Sequence, residues 1–484
     1  MAQAHMDVQV ARGEDGTIRI AAGPAPGRAD DGGGPDFARA VLDVAGAVLS
    51  WPVREEPGLP VAEVHDVGRA QQWLWALYGE RTAAAVQACT AGEPTGAGVT
   101  ADVTALAGAA ARLGFGHWAA RWWPASYVDG IPALEPDVLG LELAALTHWC
   151  QQLFSECDDF DEFTDFGAGH DGHGGYDSRG GHGVHGGYDS RGGHGVHGGY
   201  DSRDGHGVHG GYGRFGDQPD GCVAELIKDH QAALDPLVQW WCAAPQSADT
   251  ARHLESVLRL LDDAADGAGL DGQALRRLRS ALDERRPAAT TVDLGALFVR
   301  HGGYALAAGE QRAAGGRVIA RGAGTNDWRR YPPGFVDASE TAVSWTARAL
   351  GARRQIELEI VAHIAAPVAG APLVAEVTVN GGRRNRVPLA RRDDVWTGRA
   401  DLDPYGPADA VPPHFEVGVL LPGFDPGPGG PEDRADRDAI RELVRRRLAD
   451  AARPLAYDGA AHDASSGPFL AEIAAVAAAT EEDY

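Results

Sequence analysis

Lysine is almost missing from this chain of 484 residues: Lys228 stands alone against 42 arginines. A P-loop needs a lysine behind a glycine-rich phosphate loop, and Lys228 sits in AELIKDH with no such loop before it, which excludes a P-loop NTPase. Cysteine is also sparse. Five in 484 residues, an odd number, do not make the paired framework of a secreted disulfide protein, so free thiols are expected. No run approaches the roughly 20 uncharged apolar residues that span a bilayer, and MAQAHMDVQVARGEDG has no basic start followed by an apolar stretch. These gaps predict a cytoplasmic protein with no membrane partner. Positive charge is in deficit too: 43 basic against 69 acidic side chains leaves −26, which opposes attraction to phosphate backbones and predicts no nucleic-acid partner.

Several catalytic signatures are missing as well. HExxH, G-x-S-x-G and paired CxxC motifs do not occur. GAGTNDW at 322–328 lacks the third glycine of a dinucleotide loop and runs into Pro332-Pro333. DDAADGAG at 262–269 puts Ala264 and Gln273 where an EF-hand needs oxygen ligands. No reaction is legible, and the reading leans away from an enzyme.

What is present divides the chain by periodicity. Val8 and Val10, then Ile18 and Ile20 across GEDG, alternate as a short half-buried hairpin does, followed by a Gly/Pro/Asp linker to residue 35. Helices are expected near 36–49, 66–90, 100–122 and 136–157. In the last, Leu139, Leu143, Leu146, Cys150, Leu153 and Cys157 recur at threes and fours and predict a core-facing seam. Helical periods resume from 222 to 308, and 435–452 reads as an amphipathic helix within a helical tail, 435–484. Between about 315 and 425 the period changes to two, and Asn380-Gly381 between two such runs is a hairpin signal. The expected fold is therefore α+β and multidomain. A mostly α-helical domain (36–157 plus 222–308) would carry a disordered insertion, followed by an antiparallel β-sandwich-like domain (315–425) and helices.

The insertion, 158–221, repeats HGGYDSRGGHGV every 12 residues, with too little apolar content to offset the cost of ordering it. Its H-x-x-H pairs, His170 and His173, His182 and His185, His194 and His197, His206 and His209, suit Zn, Ni or Cu because a glycine backbone lets imidazoles converge on one ion. Near-identical copies are equally what slippage of a short coding unit would leave. No other cofactor is expected.

Two further groups are candidate partner-binding residues. Trp122 and Trp123 belong to the aromatic-rich GHWAARWWPASYVDG, which serves either as helical core or as a binding surface. Arg383, Arg384, Arg386, Arg391 and Arg392 crowd the segment after Asn380, where they either dock an acidic partner or guard a sheet edge. An enzyme of unfamiliar type would place its pocket at His117, Asp129, His148 and the tryptophans. The segments GHWAARWWPASYVDGIPAL (116–134) and RRYPPGFVDASETAVSWTAR (329–348) resemble parts of uncharacterised actinobacterial proteins encoded in multi-gene, conflict-type loci. That resemblance implies a noncatalytic accessory or adaptor role toward protein partners. The competing expectation is metal binding or storage by the histidine repeat.

Overall fold

The computed structural model describes residues 5–22, 36–55, 58–91, 97–102, 104–154, 223–243, 248–284, 293–298, 316–367, 373–402, 413–424, 429–453 and 467–481. The repeat and its eight histidines, with Cys157 and Cys222, lie outside them.

The N-terminal hairpin forms as its alternation predicts: β1 (His5–Arg12) pairs antiparallel with β2 (Ile18–Ala22), and Val8, Val10, Ile18 and Ile20 are buried. The segment 36–49 corrects the expectation of a helix. It is a second hairpin, β3 (Arg39–Val44) and β4 (Ala47–Pro52), joined by the two-residue turn Ala45-Gly46. Ala40, Leu42, Val44, Ala47, Leu49 and Trp51 point inward at strict alternation. Gly46 sits at φ +73°, and a side chain there would collide with the Asp66 carbonyl. β5 (Val61–Val64) follows, then α1 (Val67–Tyr78), α2 (Glu80–Thr90) and β6 (Ala97–Asp102). The six strands form one antiparallel sheet in the order β3-β4-β5-β2-β1-β6. The N-terminal region is thus mixed rather than mostly helical, and the helix expected from 100 begins only at 105.

Thr104 caps α3 (Ala105–Trp122) by accepting from the Ala107 amide at 3.2 Å, and Pro136 occupies the first turn of α4 (Pro136–Trp149). Packed on α4 are α5 (Val223–Asp229) and α7 (Ala248–Gly267). With α6 (Leu234–Trp241), α8 (Gln273–Glu284) and α9 (Leu294–Phe298), they form the helical layer. Of the expected seam, Leu139, Leu143, Cys150 and Leu153 are buried and Leu146 is half-buried. The helix does not continue to 157: it stops at Trp149, and a 3-10 turn over Gln151–Leu153 aims the Leu153 carbonyl at the Ala45 amide, 2.8 Å away. Burial pushes the Cys150 thiol up to about 12, so it behaves as a small apolar side chain. Leu143→Ala should cost about 2 to 5 kcal/mol in urea denaturation, with Leu146→Ala clearly less, because only the first leaves a closed cavity. Equal losses would place the core on the wrong face.

The C-terminal region carries β7 (Arg317–Ala323), β8 (Val343–Leu350), β9 (Arg353–Val361), β10 (Val374–Val379), β11 (Asn385–Pro388), β12 (Ala390–Arg392), β13 (Val395–Leu402) and β14 (Phe415–Leu420). Two antiparallel sheets result, β12-β13-β9-β8-β7 and β11-β10-β14. Leu358 and Ile360 from the first share one hydrophobic cluster with Val377, Val387 and Val417 from the second. Asn380 and Gly381 have φ of +52° and +67°, and the Gly382 amide closes the turn on the Val379 carbonyl at 2.9 Å. Then come α10 (Pro431–Ala452), which buries Ile440, Val444 and Leu448, and α11 (Leu470–Glu481), which packs against α4, α9 and α10.

Candidate functional site

After Trp122 the chain leaves α3 and folds into a tight loop, Ser126–Ile131. The amides of Ser126 and Ile131 bond to each other's carbonyls at 2.9 and 2.8 Å, and Gly130 takes φ +65° to close the turn. Beneath the loop lies Asp337, which is 1% exposed. One carboxylate oxygen accepts from the Ser126 hydroxyl at 2.7 Å and the Ser339 amide at 2.9 Å. The other accepts from the Tyr127 amide at 2.7 Å and, at 3.5 Å, the Val128 amide. A carboxylate taken from water is retained only when donors saturate it, and Asp337 is saturated. Ser126 in turn accepts from the Asp129 amide at 2.9 Å.

The same junction is braced by the loop before β8 and by α10. Asn326 donates to the carbonyls of Asp337 and Ser339 at 2.8 and 2.6 Å and accepts from the Tyr331 hydroxyl, whose pKa burial raises well above its usual value. Glu340 binds Arg437 at 2.6 Å and Arg441 at 3.4 Å. Asp129 accepts from the Ser339 hydroxyl at 3.1 Å and lies 3.8 and 3.7 Å from Arg441 and Arg445. The two segments that carried the resemblance, 116–134 and 329–348, therefore meet across this network, and the Ala338 amide bonds the Ala125 carbonyl at 3.3 Å.

The loop presents its tip outward. Tyr127 is 50% and Val128 43% exposed, although the backbone between them is fixed from below. Trp122 belongs to the core, edge-on to Phe37, and Trp123 is half-buried with its indole on the Pro132 carbonyl at 2.9 Å. The exposed aromatic of this segment is thus Tyr127, five residues beyond Trp122. Its exposure depends on Asp337, which is 210 residues away in sequence.

Nothing among the described residues joins His117, Asp129 and His148 by a hydrogen bond, and burial lowers the His117 imidazole to about 4. Also among the described residues, no group of three or more His, Cys, Asp or Glu side chains is arranged to hold a metal ion. His230 and Asp137 are 3.1 Å apart, and Asp137 helps line an open recess of about 60 Å³. The five arginines expected together are divided: Arg383, Arg384 and Arg386 are exposed on the β10–β11 hairpin, whereas Arg391 and Arg392 lie on β12 of the other sheet, Arg392 exposed and Arg391 half-buried, donating to the Asp393 carbonyl at 2.9 Å and to the Ala366 carbonyl. Among the described residues no helix is long and apolar enough to cross a membrane.

No family model, curated protein or solved structure matches the chain.

Proposed function

We propose that this chain is a noncatalytic adaptor that binds a protein partner through the loop Ser126–Ile131. The observation that carries the reading is the exposed Tyr127-Val128 tip held on a backbone that Asp337 has already ordered. Tyrosine is enriched at interface hot spots because it combines apolar area with a polar end, and a loop ordered before binding avoids the entropic cost of ordering it on contact. The charges around it are engaged, Glu340 by Arg437 and Arg441 and Asp337 by the Ser126 hydroxyl and the Tyr127 and Ser339 amides, so they serve the loop's position rather than a reaction. In this reading the C-terminal sheets form a sandwich-like module on which the loop is mounted, and the protein acts in the cytoplasm within a bacterial multi-component system. The H-x-x-H pairs of the repeat support a separate metal-binding role, which stoichiometric metal retained by the untagged chain would establish.

The test is affinity purification from the native host with the wild-type chain and with Tyr127→Ala. Thermal stability should hold within about 0.5 kcal/mol, as for other surface changes. The partner recovered with wild type should bind the variant about thirtyfold more weakly or worse, the loss of a hot-spot residue. Equal recovery by both chains sinks the reading.

A further inference from the structure

The hairpin β10–β11 carries a different surface. β11 is an edge strand of the three-stranded sheet, and Arg386 lies directly across from Glu376 in the β10 register. Arg384, in the turn just before β11, brings its guanidinium to the same carboxylate. Both reach the one carboxylate: Arg384 Nη1 is 3.5 Å and Arg386 Nε 3.9 Å from Glu376, and Arg330 Nη2 approaches from within at 3.5 Å. Three guanidiniums thus share the Glu376 carboxylate in a chain of net −26. The outer two are 61% and 62% exposed on their side chains, and Arg383 beside them is exposed with no carboxylate within 4 Å among the described residues.

We propose that this face binds an acidic peptide segment of a protein partner in extended conformation, with carboxylates at alternate positions. Alternate residues of an extended peptide point to one face about 6.6 to 6.8 Å apart, so two such carboxylates can each meet one of the two guanidinium forks. Glu376 holds both forks on one face while no ligand is present, at distances too long for good hydrogen bonds, so an incoming carboxylate takes donors that Glu376 leaves underused. Pro388 has no amide hydrogen, and at this edge it breaks any main-chain ladder to an added strand. Recognition therefore runs through side chains. Nucleic acid is disfavoured because its binding draws on many cations along a track, whereas here three exposed arginines stand on a strongly acidic chain. The inference rests on residues other than those of the Ser126–Ile131 loop.

The experiment is fluorescence anisotropy of the full chain with three labelled probes: a ten-residue peptide alternating Glu and Ala, a peptide of the same composition with its five Glu in one block, and a ten-nucleotide thymidine strand. The alternating peptide should bind tightest, and its affinity should fall as salt rises from 50 to 200 mM, as screening requires. Arg384→Glu combined with Arg386→Glu should weaken it at least about tenfold, and the double lysine variant, which keeps the charge but loses the fork, about threefold. Unchanged thermal midpoints show that the variants fold. The proposal is overturned by an alternating peptide that does not bind, by equal binding to the double glutamate variant, or by tighter binding of the blocked peptide or the thymidine strand. A protein that loses its partner with Tyr127→Ala yet still binds the alternating peptide separates this surface from the loop.

Discussion

Asp337→Ala should destabilise the protein by about 3 to 5 kcal/mol, the largest loss expected from a single polar side chain at the junction. Three donors at 2.7 to 2.9 Å, from Ser126, Tyr127 and Ser339, lose their acceptor together, and each buried donor left unsatisfied costs about 1 to 3 kcal/mol. The sum is held below the arithmetic maximum because the Tyr127 amide is only part-buried and regains water. Asp337→Asn keeps one acceptor oxygen and should lose about half as much. Urea denaturation measures both variants, and limited proteolysis should find new cleavage at 127–130 in the alanine variant. A loss under about 1 kcal/mol for Asp337→Ala would mean that the loop is ordered by something else.

Arg112→Met should cost a similar amount, about 3 to 5 kcal/mol, by a different route. Glu142 on α4 is 1% exposed and bound to Arg112 at 2.7 Å, to His253 at 3.0 Å and to the Leu470 amide at 2.8 Å. Burial alone would raise its pKa, but Arg112 and then His253 outweigh burial and hold it near about 2 instead of 4.5. A carboxyl depressed in the folded state contributes stability that is present above its unfolded value and is lost as pH falls through the folded one. The wild-type contribution is therefore complete above about 4.5 and disappears toward about 2. Without Arg112 the carboxylate is buried with too little positive charge, so the penalty should be largest near neutral pH and shrink as pH falls toward about 2, where Glu142 takes up its proton in the wild type as well. Denaturation midpoints compared across that range check this, and a penalty independent of pH would assign the loss to packing.

The elements that the sequence revealed are those whose signals are local. GEDG between alternating valines and isoleucines, Asn380-Gly381, and Pro136 at a helix start each specify geometry within a few residues. The hairpin 39–52 escaped because alanine fills two of its inward positions, Ala40 and Ala47, while Val41 and Val48 stand at outward ones, which blurs a period of two into one compatible with a helix. The junction escaped for another reason. Arg437 and Arg441 lie in DRADRDAIRELVRRRL, which reads as a solvated helix face, yet they are 2% and 4% exposed because Glu340, about a hundred residues earlier, receives them. Burial of a charge is decided by its partner, and that partner lies beyond any local window. The same holds for Tyr127: the aromatic density of its segment was visible, but which ring would face outward depended on Asp337.

The start of α11 has a consequence for how the chain matures during synthesis. Glu142 caps that helix through the Leu470 amide, and Arg112 donates to the carbonyls of Gly467 and Pro468 at 2.7 and 3.0 Å while lying over the Phe469 ring. These bonds span 328 to 356 residues, so at about 5 to 20 residues per second the ribosome needs on the order of tens of seconds between making the socket and making the plug. Throughout that interval Glu142 and Arg112 have each other and His253 but no α11, and the apolar face that Phe469 and Leu470 cover stays wet. Folding of the helical layer is then a late event, and a growing chain displays a sticky surface to its surroundings until α11 arrives.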